Sequence, residues 1–227
     1  MGKVLVTDRE IVLPGQVLAE GMDFLPASGE VIREGENLIS TKIGLVSINN
    51  RFVKVIPLTG SYVPKINDLI IGKVTSITPN GWRVDFGSTT EAFIPLREGS
   101  SDYIPRADDM PRYYNCGDYV VSQIINVSFG RLVDLSMKGP GLRKLSPGRI
   151  ISVPSCKVPR IIGKQGSMIS MIKESTGCKI SVGQNGLIWL TGEDLNKELK
   201  AIGAIELIVR ESHVSGLTDL VKEYLEK

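Results

Sequence analysis

One stretch, Arg160 to Ile169, constrains the fold of this chain most strongly, because two glycines there bracket a lysine and a glutamine. Apolar residues come directly before Gly163, and apolar residues at helical spacing follow Gly166. Glycine lets the backbone bend sharply and removes the Cβ that would hold a ligand's backbone away. Free amides at the start of the following helix attract anions. The stretch therefore predicts helix, tight turn and helix, with a turn shaped for a phosphate chain.

A second interpretation of this turn is a glycine bend between two core helices, and a bare G-x-x-G favours it. The distribution of charge favours the binding interpretation. The net charge of +2 is unevenly distributed along the chain. Residues 141–182 carry eight basic residues and one acid, a net charge of +7, whereas the net charges of residues 1–60, 61–140 and 183–227 are −1, −1 and −3. Positive charge collected around a phosphate-shaped turn indicates an anionic polymer as ligand.

The residues around this turn resemble a KH domain, whose loop clamps about four nucleotides of a single strand by their backbone. Ile161-Ile162 precede the Gly-Lys-Gln-Gly sequence, and the predicted order of elements from residue 149 onward is β-α-turn-α-β-β-α, that of a type I KH domain. The resemblance implies that Ile162 and Ile180 line an apolar groove for bases. The RNA-binding residues that it implies are Arg160, Ile162, Gly163, Lys164, Gln165, Gly166, Lys173, Lys179 and Ile180.

Two further helices are predicted near the C-terminus. The first begins at Glu193-Asp194, and the stripe along it is predicted to be its buried face, formed by Leu195, Leu199, Ile202, Ile205 and Val209. The last helix has one apolar side, which carries Leu217, Leu220, Val221, Tyr224 and Leu225. This side is predicted to pack on the body of the protein, and binding to a partner is the other interpretation.

Residues 61–139 contain five predicted strands separated by glycine and proline turns. The Gly-Lys-Val at residues 72–74, the turn at residues 79–81 and the closing Gly130-Arg131 resemble an S1 domain, a five-stranded OB-type barrel common in RNA-binding proteins. Asn80 and Arg83 stand where typical S1 domains carry base-stacking aromatic residues.

Base stacking by the barrel is consequently not expected, and Phe86 and Phe93 are predicted to be core residues. The candidates for phosphate contact in this segment are Lys73, Arg83, Arg106, Arg112 and Arg131. The connection from Arg97 to Asn115 interleaves arginine with tyrosine among acids, so a solvated loop and an RNA contact both remain open.

The N-terminal residues 1–60 are predicted to form short strands with no helical periodicity. They contain no acid pair, metal cluster or phosphate loop, which indicates a role in assembly or packing. No apolar run in the chain approaches the ~20 residues of a membrane span, and the N-terminus lacks a signal-peptide core. Three widely spaced cysteines without a C-x-x-C pattern indicate thiols in a reducing compartment. Cytoplasm is the predicted location.

The whole chain resembles the S1/KH RNA-binding cap subunits of the archaeal exosome, with a β-rich domain at 1–60, an S1 domain at 61–139 and a KH domain with a C-terminal helix at 140–227. The predicted fold class is mainly β with an α+β domain. The hairpin Gly183-Gln184-Asn185-Gly186 matches the G-x-N-G signature of KH domains in this family, where it is structural.

This resemblance implies a protein with no catalytic residues, metal or cofactor, whose ligand is single-stranded RNA. Three copies would sit on a hexameric ring of RNase-PH-like subunits, docked by their N-terminal domains, with the S1 domains around the entrance for RNA 3′ ends. An S1/KH adaptor in transcription or translation is the alternative. A nuclease is disfavoured, because the single histidine, His213, has no cysteine or acid constellation and Asp108-Asp109 is a weak metal site.

Overall fold

The computed structural model describes residues 2–102, 104–105, 110–128, 132–212 and 216–226. The chain divides into two compact units, Met1–Gly60 and Ser61–Lys227. Strands dominate, and the α-helices of the described residues all lie after residue 157. The predicted fold class, mainly β with an S1 barrel and a type I KH domain, is confirmed. None of the described helices is both long and apolar enough to cross a membrane.

The first unit consists of two four-stranded sheets. Their strands are β1 (Lys3–Val4), β2 (Ile11–Val12), β3 (Val17–Glu20), β4 (Leu25–Pro26), β5 (Val31–Glu34), β6 (Asn37–Ser40), β7 (Gly44–Asn49) and β8 (Phe52–Pro57). One sheet has the order β1-β3-β6-β5 and the other β2-β7-β8-β4. Buried and exposed residues alternate along β8, as expected for a strand with one face in the core. The core of this unit contains Val12, Leu18, Val46 and Val55.

The second unit begins with a closed barrel. Its strands are β9 (Leu69–Thr78), β10 (Gly81–Asp85), β11 (Ala92–Pro95), β12 (Tyr119–Val127) and β13 (Val133–Ser136). The sheet runs β13-β11-β10-β9-β12 and closes because β13 also pairs with β12. Trp82 is fully buried inside, and its indole donates a 3.1 Å hydrogen bond to the carbonyl of Tyr114. The following segment adds β14 (Arg143–Lys144), which pairs with the start of β12 at Val120 and Val121.

The KH domain follows as one three-stranded sheet with helices on one face. Its elements are β15 (Arg149–Ser152), α1 (Val158–Ile162), α2 (Ser167–Thr176), β16 (Lys179–Val182), β17 (Leu187–Thr191) and α3 (Leu195–Arg210), and α4 (Leu217–Glu226) ends the chain. The sheet order is β15-β17-β16, so β16 is an edge strand. Gly177 ends α2 in the left-handed conformation, with φ 68° and ψ 7°.

The buried face of α3 differs from the predicted stripe. Ala201, Ala204, Ile205 and Ile208 face the core, whereas Leu195 and Leu199 are 53% and 52% exposed. The stripe prediction was therefore wrong at Leu195 and Leu199, because the N-terminal half of α3 meets the core through Ala201, which lies on another side of the helix. The prediction for α4 is confirmed, since Leu217, Val221 and Leu225 are buried in the same cluster.

The barrel and the KH sheet pack together through a separate apolar cluster. Trp189 lies at its centre with Ile71, Val121 and Leu145, and its indole donates to the carbonyl of Ser146 at 3.0 Å. The KH sheet is thus covered by helices on one face and by the barrel on the other.

Candidate nucleic-acid interface

The turn between α1 and α2 has the geometry that the sequence predicts. Gly163 ends α1 at φ 75°, ψ 178°, and its amide donates to the carbonyl of Pro159 at 3.0 Å. Gln165 and Gly166 are both left-handed, with φ 54° and 81°. Among the described residues, no side chain makes a capping hydrogen bond at the start of α2. Lys164 and Gln165 are exposed on the outside of this turn.

Gly163→Ala is expected to lower the free energy of unfolding by about 2–4 kcal/mol, because both its backbone angles and its surroundings exclude a side chain. A Cβ at this position would lie 2.7 Å from the Cβ of Met168 and 2.8 Å from its backbone nitrogen. Gly166→Ala is the control, since Gly166 has open space around it and only its φ is unfavourable, at about 1–2 kcal/mol. Urea denaturation measures both, and equal losses would contradict the steric argument.

The predicted cations near the turn are available to a ligand. Arg160, Lys164 and Lys173 are exposed, and none has a carboxylate partner among the residues that the structure describes. Arg149, in contrast, forms a 2.8 Å ion pair with Glu198. The amide of Gly192 and then the Arg149 guanidinium hold the pKa of the Glu198 carboxyl below its usual range. Arg160, Lys164 and Lys173 therefore supply positive charge near the turn that no described carboxylate neutralises.

The predicted groove residues lie in two different environments. Ile162 is half-buried at the end of α1, next to the turn. Ile180 is only 4% exposed and packs inside the core with Ile172 and Ile205, so the prediction that it lines an open groove does not match its position. Val182, two residues further along β16, packs against the same core but is half-buried. Sequence alternation alone does not distinguish these two positions.

The position of Lys179 also differs from the one that the resemblance to KH domains implies. Side chains alternate along a strand, and Ile180 and Val182 face the helices, so Lys179 and Ser181 point to the opposite face of the sheet. Ser181 lies directly across from Trp189, the residue that packs on the barrel. Lys179 is exposed on the barrel side of the KH sheet, away from α1 and α2.

The barrel cations differ from one another in their pairing. Arg83 lies 3.8 Å from Glu91 in an exposed ion pair, and Lys73 is opposite Asp85 in the strand register. Arg112 is exposed in a 3₁₀ turn at residues 110–112. The two other candidates, Arg106 and Arg131, lie outside the described residues, as do Asp108-Asp109 and His213.

Phe86 is a core residue as predicted, but Phe93 is not. Phe93 is half-buried and lies across from Arg83 on the outside of the barrel. It lines an open cavity of about 610 Å³ together with Asn80, Pro95, Leu96, Arg97, Ser101, Asp102, Ile104 and Lys138. The sequence signal for this position is the alternation Ala92-Phe93-Ile94, in which the two neighbours of Phe93 are buried.

The hairpin at residues 183–186 fastens the KH domain to the barrel. The side-chain amide of Asn185 donates 2.8 Å hydrogen bonds to the carbonyls of Ile71 and Phe86, and its oxygen accepts from the amide of Ile71 at 3.2 Å. The backbone amide of Gln184 donates to the carbonyl of Leu69 at 2.7 Å. These bonds continue the pairing of β9 beyond the point where β10 ends at Asp85.

No group of three or more His, Cys, Asp or Glu side chains that could hold a metal ion occurs within the described part of the chain. The turn is an exposed surface that combines a helix start without a side-chain cap, left-handed residues, and cations that have no carboxylate partner in the described part of the chain. Such a surface holds a phosphate backbone through amides and point charges.

Comparison with known proteins agrees with this architecture. Residues 9–59 match the family described as the exosome RNA binding protein RRP4 N-terminal domain, residues 61–103 match the RRP4 S1 domain, and residues 148–207 match the KH domain.

Full-length relatives were also found. The exosome complex component Rrp4 of Nitrosopumilus maritimus is 41% identical over 96% of this chain and 96% of its own length, and that of Saccharolobus solfataricus is 40% identical over 99% and 91%. A crystal structure described as an exosome complex RNA-binding protein superposes with a TM-score of 0.66 at 33% identity, covering 74% of this chain and 96% of that chain. This chain belongs to the family of the exosome complex component Rrp4, with S1 and KH RNA-binding domains.

Proposed function

We propose that the chain is a non-catalytic cap subunit of the exosome, which captures single-stranded RNA and guides its 3′ ends into a ring of RNase-PH-like exonuclease subunits. Three copies would sit on one hexameric ring, and the assembly would act in the cytoplasm. The observation that carries the RNA-binding part is the turn at residues 163–166, where an uncapped helix start lies beside Lys164. A phosphate backbone is the ligand that uses both features.

The N-terminal unit supports the ring-docking part of the proposal through an exposed apolar row. Ile11 pairs with Leu45, and Leu45 pairs with Ile56, so the three side chains are neighbours across β2, β7 and β8. Ile11 and Ile56 are 61% and 47% exposed, while the adjacent Val12 and Val55 are buried. An apolar row on the outside of a small sheet is the kind of surface that a partner subunit covers.

Ile11→Glu combined with Ile56→Glu is expected to abolish co-purification with the ring subunits, because two carboxylates would have to be buried at the contact. Ile32→Glu is the control, since Ile32 is about as exposed as Ile56 but lies on β5 of the other sheet. Size-exclusion chromatography of the mixed subunits measures assembly. Loss of assembly in the control alone would assign docking to the other sheet and contradict this choice of surface.

The test of the whole proposal is the rate at which the ring degrades a labelled single-stranded RNA with and without this chain. The chain alone is expected to leave the RNA intact, and the ring with the chain is expected to degrade it faster at low RNA concentration. Co-purification with a transcription or translation complex in place of the ring would favour the adaptor function. Degradation by the isolated chain would contradict a non-catalytic role.

A further inference from the structure

Arg143 is the cation that the barrel contributes to its junction with the KH sheet. It lies on β14, across from Val121, which in turn lies across from Ile71. Cross-strand neighbours share one face of a sheet, and Ile71 and Val121 belong to the apolar cluster around Trp189. The Arg143 side chain therefore points toward the KH domain. Its Nη2 donates a 3.5 Å hydrogen bond to Oγ of Ser181 on the edge strand β16.

The KH domain contributes Lys179 to the same place. Lys179 and Ser181 are two residues apart on β16, and their side chains emerge on the same face of the sheet, the face that turns toward the barrel. The Arg143 guanidinium bonds the hydroxyl of Ser181, which brings the two cations to one edge of the S1–KH junction. We call Arg143, Lys179 and Ser181 the junction cluster.

The charge of this cluster is not neutralised by the chain. Within the described residues, neither Arg143 nor Lys179 has a carboxylate partner, and both are exposed. The next residue, Lys144, makes the contrast clear, because its Nζ lies 2.5 Å from a carboxylate oxygen of Asp118. A guanidinium has five N–H donors, and the single long bond to Ser181 leaves most of them free.

We propose that the junction cluster is a second phosphate-binding site, which holds an RNA strand as it passes from the KH turn to the S1 barrel. The site rests on the proposed function, because it is used only by an RNA already held at the turn. The turn engages about four nucleotides, so the junction acts on the nucleotides beyond them. Arg143 supplies a planar fork suited to a phosphate, and Lys179 supplies a point charge.

The experiment compares Arg143→Gln with Lys144→Gln on two RNAs, a tetranucleotide and a decanucleotide, by fluorescence anisotropy over a range of salt concentrations. Arg143→Gln is expected to weaken decanucleotide binding about 3–10-fold at 0.1 M salt and to leave tetranucleotide binding unchanged. The slope of log affinity against log salt should fall by about 0.7, the value for one phosphate contact on a single strand.

Lys144→Gln removes the same charge from the neighbouring position and is expected to leave the salt slope unchanged, because Lys144 is already paired. Arg143→Lys keeps the charge and should retain the slope of the original chain. If the chain binds the decanucleotide and Arg143→Gln changes neither affinity nor slope, the junction site is overturned while the proposed function stands. If the chain binds neither RNA at 0.1 M salt, RNA capture itself is contradicted.

Discussion

The double substitution Lys164→Asp with Gln165→Asp is expected to weaken binding of single-stranded RNA at least about tenfold at 0.1 M salt. The change removes the point charge beside the phosphate position and places two carboxylates on the outside of the turn. Folding should be retained, because both side chains are exposed and aspartate tolerates the left-handed conformation that Gln165 adopts. Fluorescence anisotropy with a labelled decanucleotide measures the loss.

The salt dependence of RNA affinity is a second measurement that tests this prediction. The Debye length falls from about 10 Å at 0.1 M to about 3 Å at 1 M, so repulsion by the new carboxylates should be much weaker at high salt. The difference between the variant and the original chain should therefore shrink as salt is raised. A difference that stays constant would indicate a structural defect in the turn.

A matched control is available on α3. Asn196→Asp with Lys197→Asp makes the same change in net charge at two exposed residues outside the turn. This control is expected to bind RNA nearly as well as the original chain. Equal losses in the two double variants would mean that total charge, not the turn, governs affinity. Unchanged affinity in the turn variant would contradict RNA binding by the KH domain.

Asn185→Ala is expected to lower the stability of the S1–KH unit by about 2–4 kcal/mol, because three hydrogen bonds to the barrel disappear at once. The substitution leaves the amide and carbonyl of Ile71 and the carbonyl of Phe86 without the partner that they have in the native chain. Urea denaturation followed by tryptophan fluorescence measures this loss, since Trp82 and Trp189 are buried in the barrel and at the junction.

Gln184→Ala is the control in the same hairpin. Gln184 contacts the barrel through its backbone amide, which the substitution keeps, so stability should change by less than about 0.5 kcal/mol. Asn185→Asp should be at least as damaging as Asn185→Ala, because a carboxylate would face two carbonyl oxygens. If Asn185→Ala and Gln184→Ala are equally mild, the hairpin does not fasten the two domains.

These experiments concern residues whose roles differ in how far they can be read from the amino-acid sequence. The turn could be predicted, because its conformation depends on local chemistry. Gly163 and Gly166 have backbone angles that other residues adopt at a cost, and the helices on either side have clear apolar periodicity. The succession of strands along the chain, in the barrel and in the KH domain, could be predicted for the same reason, since alternation and turn residues act over short distances.

The surroundings of single side chains could not be predicted in this way. Ile180 and Val182 have the same alternation along β16, yet Ile180 is buried and Val182 is half-buried, a difference that depends on tertiary packing. The exposed Leu195 and Leu199 carry the spacing of a buried stripe, but α3 packs on the core through a different face, which carries Ala201, Ala204, Ile205 and Ile208. Phe93 is a large apolar side chain of the kind that usually lies in a core, but it is half-buried and lines an open cavity.

Contacts between residues far apart in the chain depended on packing alone. Asn185 bonds Ile71, 114 residues earlier, and Arg143 meets Ser181 only because the barrel docks on the KH sheet through Trp189. Local propensities act over a few residues, so the amino-acid order was sufficient for the turn, the strands and the family resemblance. Which cations stay unpaired and which polar groups join the two domains followed from tertiary packing, where burial and long-range hydrogen bonds are set together.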